Sequence, residues 1–183
     1  MTDALAAVAD LYTERLVLHP MTPEEAERVV AETPGAGDPW GPEYPDVMDV
    51  KGATDLLKAC ATTGDPRPFG NYEIRRRADG RAIGGIGFNR TPDAEGTVTV
   101  GYSLNASARG KGYASEALRA LLAFAWSRGV TLVQADADLD NLASQHVMTA
   151  VGMRVVGEDH RVRYFEMRAP DDAAAQLGSR PSS

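Results

Sequence analysis

The chain has one cysteine, Cys60, and three histidines. A lone cysteine excludes an internal disulfide and a cysteine-based metal cluster. None of the histidines sits at the spacing of a metal site or a catalytic triad, so no metal is expected. No run of about 18 apolar residues occurs, so no segment is expected to cross a membrane. Cationic side chains are also scarce: 19 Lys and Arg against 26 Asp and Glu leave a formal net charge of −7. That balance argues against sequence-independent nucleic-acid binding, which rests on cationic contacts to phosphate. The one basic cluster, Arg75-Arg76-Arg77, runs into Asp79-Gly80 and reads as a solvated strand end and turn. Met1-Thr-Asp-Ala-Leu lacks the basic and apolar regions of a secretory leader, so a cytoplasmic protein is expected.

What is present is the composition of one globular domain, with 43% hydrophobic and 25% charged residues in 183. That domain is expected over residues 1–170, with a disordered Ala-, Ser- and Pro-containing tail over 171–183. Residues 11–19 alternate as a strand. Thr22-Pro23-Glu24-Glu25 then reads as a capping box with proline at the first helical position, and Ala26, Val29 and Val30 form the buried stripe. Residues 34–49, with four prolines and three glycines around Trp40 and Tyr44, read as a long irregular loop. A second helix is expected from about Ala53 to Ala61. Strands follow over Asn71–Arg76, Ala82–Asn89 and Thr97–Leu104, separated by turn residues. Ala114, Ala117, Leu118, Leu121, Leu122 and Ala125 fall on one helical face that Gly129 stops. A strand over Thr131–Asp138, a short helix over Asn141–Val151 and strands near Met153–Gly157 and Val162–Met167 complete the order β-α-α-β-β-β-α-β-α-β-β. This predicts a mixed α/β (α+β) sheet with helices on its faces.

The most informative segment runs from Gly101 to Ala117 (GYSLNASARGKGYASEA). A strand passes through a glycine-containing turn that opens onto the strongest amphipathic helix. Small residues at 110, 112 and 114 allow close approach to the backbone. The first N–H groups of a helix have no internal partner and favour an anion. Arg109 and Lys111 add charge. Two other readings stand beside a phosphate site. The glycines alone suit a tight strand–helix connection. Gly110-x-Gly112-x-x-Ser115, with Asp136 further on, imitates a dinucleotide fingerprint. Against that, five residues separate Leu104 from Gly110 and the alternating βαβ units are missing.

Arg109-x-x-Gly112-x-Ala114 resembles the pyrophosphate motif of the GNAT acetyltransferases, Arg/Gln-x-x-Gly-x-Gly/Ala. Its flanks, Gly101-Tyr102 and Gly112-Tyr113-Ala114-Ser115-Glu116-Ala117, are similar to the Rim-type branch, which includes ribosomal-protein N-terminal acetyltransferases. Asn141-Leu-Ala-Ser144 followed by Val151-Gly152-Met153 is similar to that branch's Asn-x-x-Ser…x-Gly-Phe segment. The resemblance covers roughly residues 12–167. It implies that Tyr102, Ser103 and Leu104 pair with the pantetheine arm of acetyl-CoA, and that Arg109, Gly110, Lys111, Gly112, Tyr113 and Ala114 wrap its pyrophosphate. It further implies direct attack of an amine on the bound thioester, the amine belonging to a small molecule or a protein N-terminus.

Asn141 reads as a helix N-cap, and the resemblance adds contact with the cofactor. Ser144 shares a face with Val147, Met148 and Val151, where a hydroxyl can simply bond a helix carbonyl. The resemblance makes it the group that protonates or hydrogen-bonds the departing thiolate. The base stays unassigned: many Rim-type sequences carry Glu where Thr99 stands, and Glu73, Asp136, Asp138, His19 and His146 are the other candidates. In the acidic loop, Trp40 and Tyr44 are expected to wall an acceptor site, with Glu43 and Asp46 attracting a cationic amine. The alternative function is a catalytically silent acetyl-CoA-binding or sensing module. A monomer and a homodimer are equally compatible with the sequence.

Overall fold

The computed structural model describes residues 8–171. The order is β1 (Leu11–Tyr12), β2 (Leu16–Pro20), α1 (Pro23–Val30), α2 (Val47–Thr62), β3 (Asn71–Arg76), β4 (Ala82–Phe88), β5 (Thr97–Leu104), α3 (Tyr113–Ser127), β6 (Leu132–Asp138), α4 (Leu142–Ala150), β7 (Arg154–Glu158) and β8 (Val162–Arg168). One eight-stranded sheet runs β1-β2-β3-β4-β5-β6-β8-β7. Its neighbours pair antiparallel except β5 and β6, which are parallel. The expected mixed sheet is therefore present. The dinucleotide reading is excluded, since it needs a mostly parallel sheet. The tail expectation for 171–183 lies, apart from Asp171, outside the described residues.

Strand alternation divides the molecule into two cores. On one face Ile74, Ile86, Val98, Val100, Val133 and Phe165 meet the stripe of α3, Ala117, Leu118, Leu121, Leu122 and Ala125. The other face carries a smaller core of Met21, Ala26, Val29, Tyr44, Ala53, Leu56 and Ala82 under α1 and α2. No helix described is long and apolar enough to cross a membrane.

Three expectations need correction. The first strand is two, because Thr13 and Arg15 turn aside to bond Glu116 of α3 (Thr13 Oγ1 to Oε1 2.6 Å, Arg15 N to Oε1 2.8 Å). Val30 is 39% exposed and does not belong to the buried stripe. Helix α2 starts at Val47, six residues before the expected Ala53, so the irregular segment ends at Asp46. A second capping box begins it: Asp46 Oδ1 accepts from the N–H groups of Met48 and Asp49 (2.8 and 3.1 Å), and Asp49 Oδ2 accepts from Asp46 N–H at 2.9 Å. Its first turn points Val47 and Met48 at solvent, 82% and 51% exposed, so no apolar stripe announces the start.

Candidate active site

The site begins where the sheet comes apart. Pairing between β5 and β6 covers only Thr97↔Leu132, Val98↔Val133 and Thr99↔Gln134. Beyond Thr99, β5 stays with β4 alone and β6 with β8 alone, which opens a wedge between them. On the β4 side, Asn89 N–H bonds Thr99 C=O at 2.9 Å and Asn105 N–H bonds Ile83 C=O at 2.8 Å. In an antiparallel ladder such bonds fall at every second residue. The main-chain groups of Gly101 and Ser103 therefore face β4, and those of Tyr102 and Leu104 face the wedge. Ser103 is brought to the site by its side chain instead, which lies on the α2 face.

The wedge leads into the glycine turn. After a 3₁₀ turn at Ala106–Ala108, the chain reaches Gly110 and Gly112 with φ of 73° and 80°. Gly112 is the N-cap of α3 in the left-handed region, where a side chain is strained. Among the described residues, no protein acceptor takes the N–H groups of Gly110 through Ser115. Six donors are thus turned outward at the positive end of α3. Arg109 donates from Nε to Leu104 C=O at 2.9 Å, which holds its guanidinium beside the wedge mouth. Lys111 Nζ bonds Ser107 C=O at 2.9 Å. Arg15, which the sequence did not single out, braces the turn from behind. It bonds Lys111 C=O at 2.8 Å and Glu116 at 2.7 Å, and stacks 4.6 Å from the Tyr113 ring centre.

On the α3 and α4 face, Tyr102 extends across the wedge to α4. Its hydroxyl lies 3.0 Å from both Ser144 C=O and Ser144 Oγ. Burial pushes the Tyr102 phenol up to about 12, against the opposing pull of Ser144. Asn141 caps α4 by accepting Ser144 N–H at 3.1 Å, as its position predicted. Tyr102, Asn141 and Ser144 thus form one connected group. The link from Tyr102 to Ser144 had no signal in the sequence, because 42 residues separate them.

The opposite face holds a cleft of about 850 Å³ between α2 and the strands β3 to β5. Gly85, Gly87 and Gly101 form its floor, Asn71 and Asn89 line one side, and Asp49 hangs from α2 above it. Asp49 is 3% exposed. Its Oδ2 receives Asp46 N–H and the Asn105 side-chain amide at 3.3 Å, while Oδ1 has no hydrogen-bond partner among the described residues. An added Cβ on Gly85 would stand 3.4 Å from that oxygen, at ordinary van der Waals contact, so Oδ1 packs directly over Gly85. Gly85 pairs with Ser103 and with Glu73, placing these three in one row beneath Asp49. Burial pushes the Asp49 carboxyl up to about 7, with the nearby Asp46 charge adding to it and the Asp46 and Asn105 hydrogen bonds opposing it.

The loop residues expected to wall an acceptor site do other work. Tyr44 is buried in the second core and forms no free wall, while the half-buried Trp40 meets it edge-on at 5.7 Å. Burial, with Glu73 and Asp49 nearby, holds the Tyr44 phenol above its ordinary range. Glu43 is bonded to Ser107, and Asp46 is spent on the helix cap and on Asn105. Among the base candidates, Glu73 is buried but bound to Arg75 Nε at 2.6 Å. His19 is held between Asp10 and Glu25 at 2.7 and 3.0 Å. His146, Asp136 and Asp138 are exposed, His146 on α4 and the two aspartates along β6.

The candidate site thus consists of a split parallel pair, a glycine turn with free N–H groups and a cleft on the far face of the sheet. The acetyltransferase (GNAT) domain family matches residues 15–154. The chain belongs to that family, and the domain is an acetyl-CoA-dependent acetyltransferase domain. It is 35% identical over 98 residues to the uncharacterized N-acetyltransferase YjdG of Bacillus subtilis (strain 168), across 53% of this chain and 56% of the relative, so that match spans just over half of YjdG. It is 26% identical over 151 residues to the uncharacterized N-acetyltransferase p20 of Bacillus licheniformis, across 80% and 83% of the two chains. In fold it is similar to the ribosomal-protein-S5-alanine acetyltransferase of Vibrio fischeri, with TM-score 0.67 and 15% identity over 89% of this chain and 98% of that one. It is also similar to the ribosomal L7/L12 α-N-protein acetyltransferase RimL in complex with coenzyme A, with TM-score 0.64 and 17% identity over 87% and 98%.

Proposed function

We propose that the protein moves the acetyl group of acetyl-CoA to a primary amine by direct attack in a ternary complex. The observation that carries this is the wedge beyond Thr99, which offers unpaired main-chain groups and leads directly to six outward N–H donors. In this reading the pantetheine arm lies against Tyr102 and Leu104, with Ser103 beside it. Arg109, Gly110, Lys111, Gly112, Tyr113 and Ala114 receive the pyrophosphate, and Asn141 borders the arm from α4. A free Tyr102 N–H polarises the thioester carbonyl as charge builds on its oxygen. Ser144, oriented by Tyr102, supplies the hydrogen bond or proton that the departing thiolate needs. Holding both reactants in line replaces an encounter in solution, worth several kcal/mol of barrier.

The likeness to the S5-alanine acetyltransferase and to RimL supports the Rim-type assignment, and with it a protein N-terminus or a small amine as acceptor. Residues 1–170 act as one domain in the cytoplasm, as a monomer or homodimer. The test is thermal denaturation with acetyl-CoA, followed by coenzyme A release with a panel of amines. A ligand near 100 times its dissociation constant stabilises by about 2.7 kcal/mol. Absence of any shift would remove the acetyl-CoA site. A shift without coenzyme A release from any amine would leave a silent binding module.

A further inference from the structure

We propose that Asp49, on the first turn of α2, is the general base that takes a proton from the acceptor ammonium in the cleft over Gly85. This assignment rests on the transfer reaction proposed above and names the group which that reading leaves open.

The argument starts from an unsatisfied atom. A buried carboxylate oxygen without a partner is costly. Asp49 lines the cleft and is almost wholly buried; its Oδ2 is committed to Asp46 N–H and Asn105, and its Oδ1 is enclosed with no hydrogen-bond partner among the described residues. The capping box fixes the side chain, because Oδ2 is anchored on the backbone of its own helix. Oδ1 is therefore held in one orientation over Gly85. Across the β4–β5 ladder from Gly85 is Ser103, next to Tyr102, whose main chain faces the wedge. An ammonium that enters the cleft beside Asp49 thus lies one strand away from the thioester. Tyr102 and Ser144 stand on the opposite face of the same strand. Proton removal from the amine and protonation of the sulfur are consequently assigned to opposite faces of β5.

The surroundings match the task. Groups facing Asp49 are the Asp46 carboxylate and Tyr44 from the preceding loop, Glu73 with its partner Arg75 from β3, and the Asn105 amide after β5. Lys51 and Asp55, further along α2, line the cleft and pair with each other at 2.6 Å. Among the described residues Asp49 therefore has no cationic partner of its own, and an incoming ammonium supplies one. Its carboxyl, raised to about 7, is ionised enough at neutral pH to accept a proton and basic enough to draw one. The balance is closed. Asp49 Oδ1 takes one proton from R–NH3+, and the freed nitrogen pair attacks the thioester carbon. The C–N bond forms and the C–S bond breaks. The second nitrogen proton is lost as one reaches sulfur from the Ser144 side, giving the amide, the thiol and protonated Asp49, which returns its proton to water.

The experiment uses the full chain with acetyl-CoA, and spermidine, amino-acid amides and short peptides as acceptors. The expected result for the best acceptor is a kcat/KM that rises with pH through an ionisation near 7 and then levels. Asp49→Asn should lose about 100-fold or more in kcat/KM while binding acetyl-CoA normally. Asn105→Ala, which removes a donor to the carboxylate, should move the ionisation to higher pH, a change that a merely structural Asp49 would not produce. It also keeps the test alive if Asp49→Asn folds poorly. An Asp49→Asn protein within about threefold of wild type, or an Asn105→Ala profile that does not move, overturns the assignment while the acetyl-transfer reading stands. Wild-type protein that binds acetyl-CoA and acetylates none of these amines overturns both.

Discussion

Asp49→Asn should gain stability relative to wild type as pH rises into the range where it is less active. Asn keeps the volume of Asp49 and an oxygen for Asp46 N–H, but it does not ionise. In the unfolded chain the aspartate releases its proton near 3.8, and in the native state only at about 7. Between those values the native state holds more protons, so wild-type stability falls as pH rises. Each unit is worth about 1.4 kcal/mol, so the native carboxylate costs on the order of 4 kcal/mol by about pH 8 relative to about pH 4. The variant carries no such cost. The difference in unfolding free energy, variant minus wild type, should therefore grow with pH by up to that amount, whatever its offset at acid pH. Urea unfolding across this range, with m-values compared to confirm the same transition, measures it. A difference that stays flat would mean that Asp49 ionises as it does in water, and the reasoning from burial would fail.

Gly112→Val should abolish acetyl-CoA binding while the fold survives. The left-handed backbone costs a side chain roughly 1–2 kcal/mol, and the added Cβ meets only the movable end of Arg15 at 3.3 Å. A thermal melt and a binding titration check the two halves. Ser144→Ala should lower kcat more than it changes acetyl-CoA affinity. Tyr102→Phe, which removes the hydroxyl bonded to Ser144, should reproduce part of that loss, and unchanged turnover in both would return the pair to a packing role. His19→Gln should cost more stability below about pH 6 than at about pH 8. His19 is raised chiefly by its hydrogen bond to Glu25, then by Asp10 and against burial. A raised histidine stabilises most below its unfolded value of 6.5 and fades as pH passes its folded value, so paired unfolding curves at the two pH values test it.

Most of the fold was legible because its signals are local. The Thr22–Glu25 capping box, the α3 stripe, Gly129 and the turns between β3, β4 and β5 each act over a few residues, and every main element except the start of α2 falls within a few residues of its expected bounds. The glycine turn was legible for the same reason, since strand, turn and helix are contiguous from Gly101 to Ala117. The split of the first strand was not, because Glu116, about a hundred residues away, pulls Thr13 and Arg15 out of line. Tyr102 and Ser144 were each picked out, but their contact is tertiary and no spacing encodes it.

Asp49 escaped for a more instructive reason. It lay inside a segment read as loop, one of six acidic residues from Glu32 to Asp55 that looked alike in charge. The structure sorts them by what each already holds. Asp38 is bound twice to Arg28 at 2.6 and 2.8 Å, Asp55 to Lys51, Glu43 to Ser107, and Asp46 to the helix cap and Asn105. Asp49 alone among these five pairs deep burial with an unpartnered oxygen. Asp46-x-x-Asp49 was available as a capping box, with Asp in place of the usual Ser or Thr and Glu. Reading it would have moved Asp49 from a loop to the first turn of a helix. It would not have shown that the helix lowers this residue onto Gly85, because that follows from the packing of α2 over the strands. A charge count over a loop therefore carries little about the acceptor site, and the discriminating quantity is the number of partners left to each carboxylate once the chain has folded.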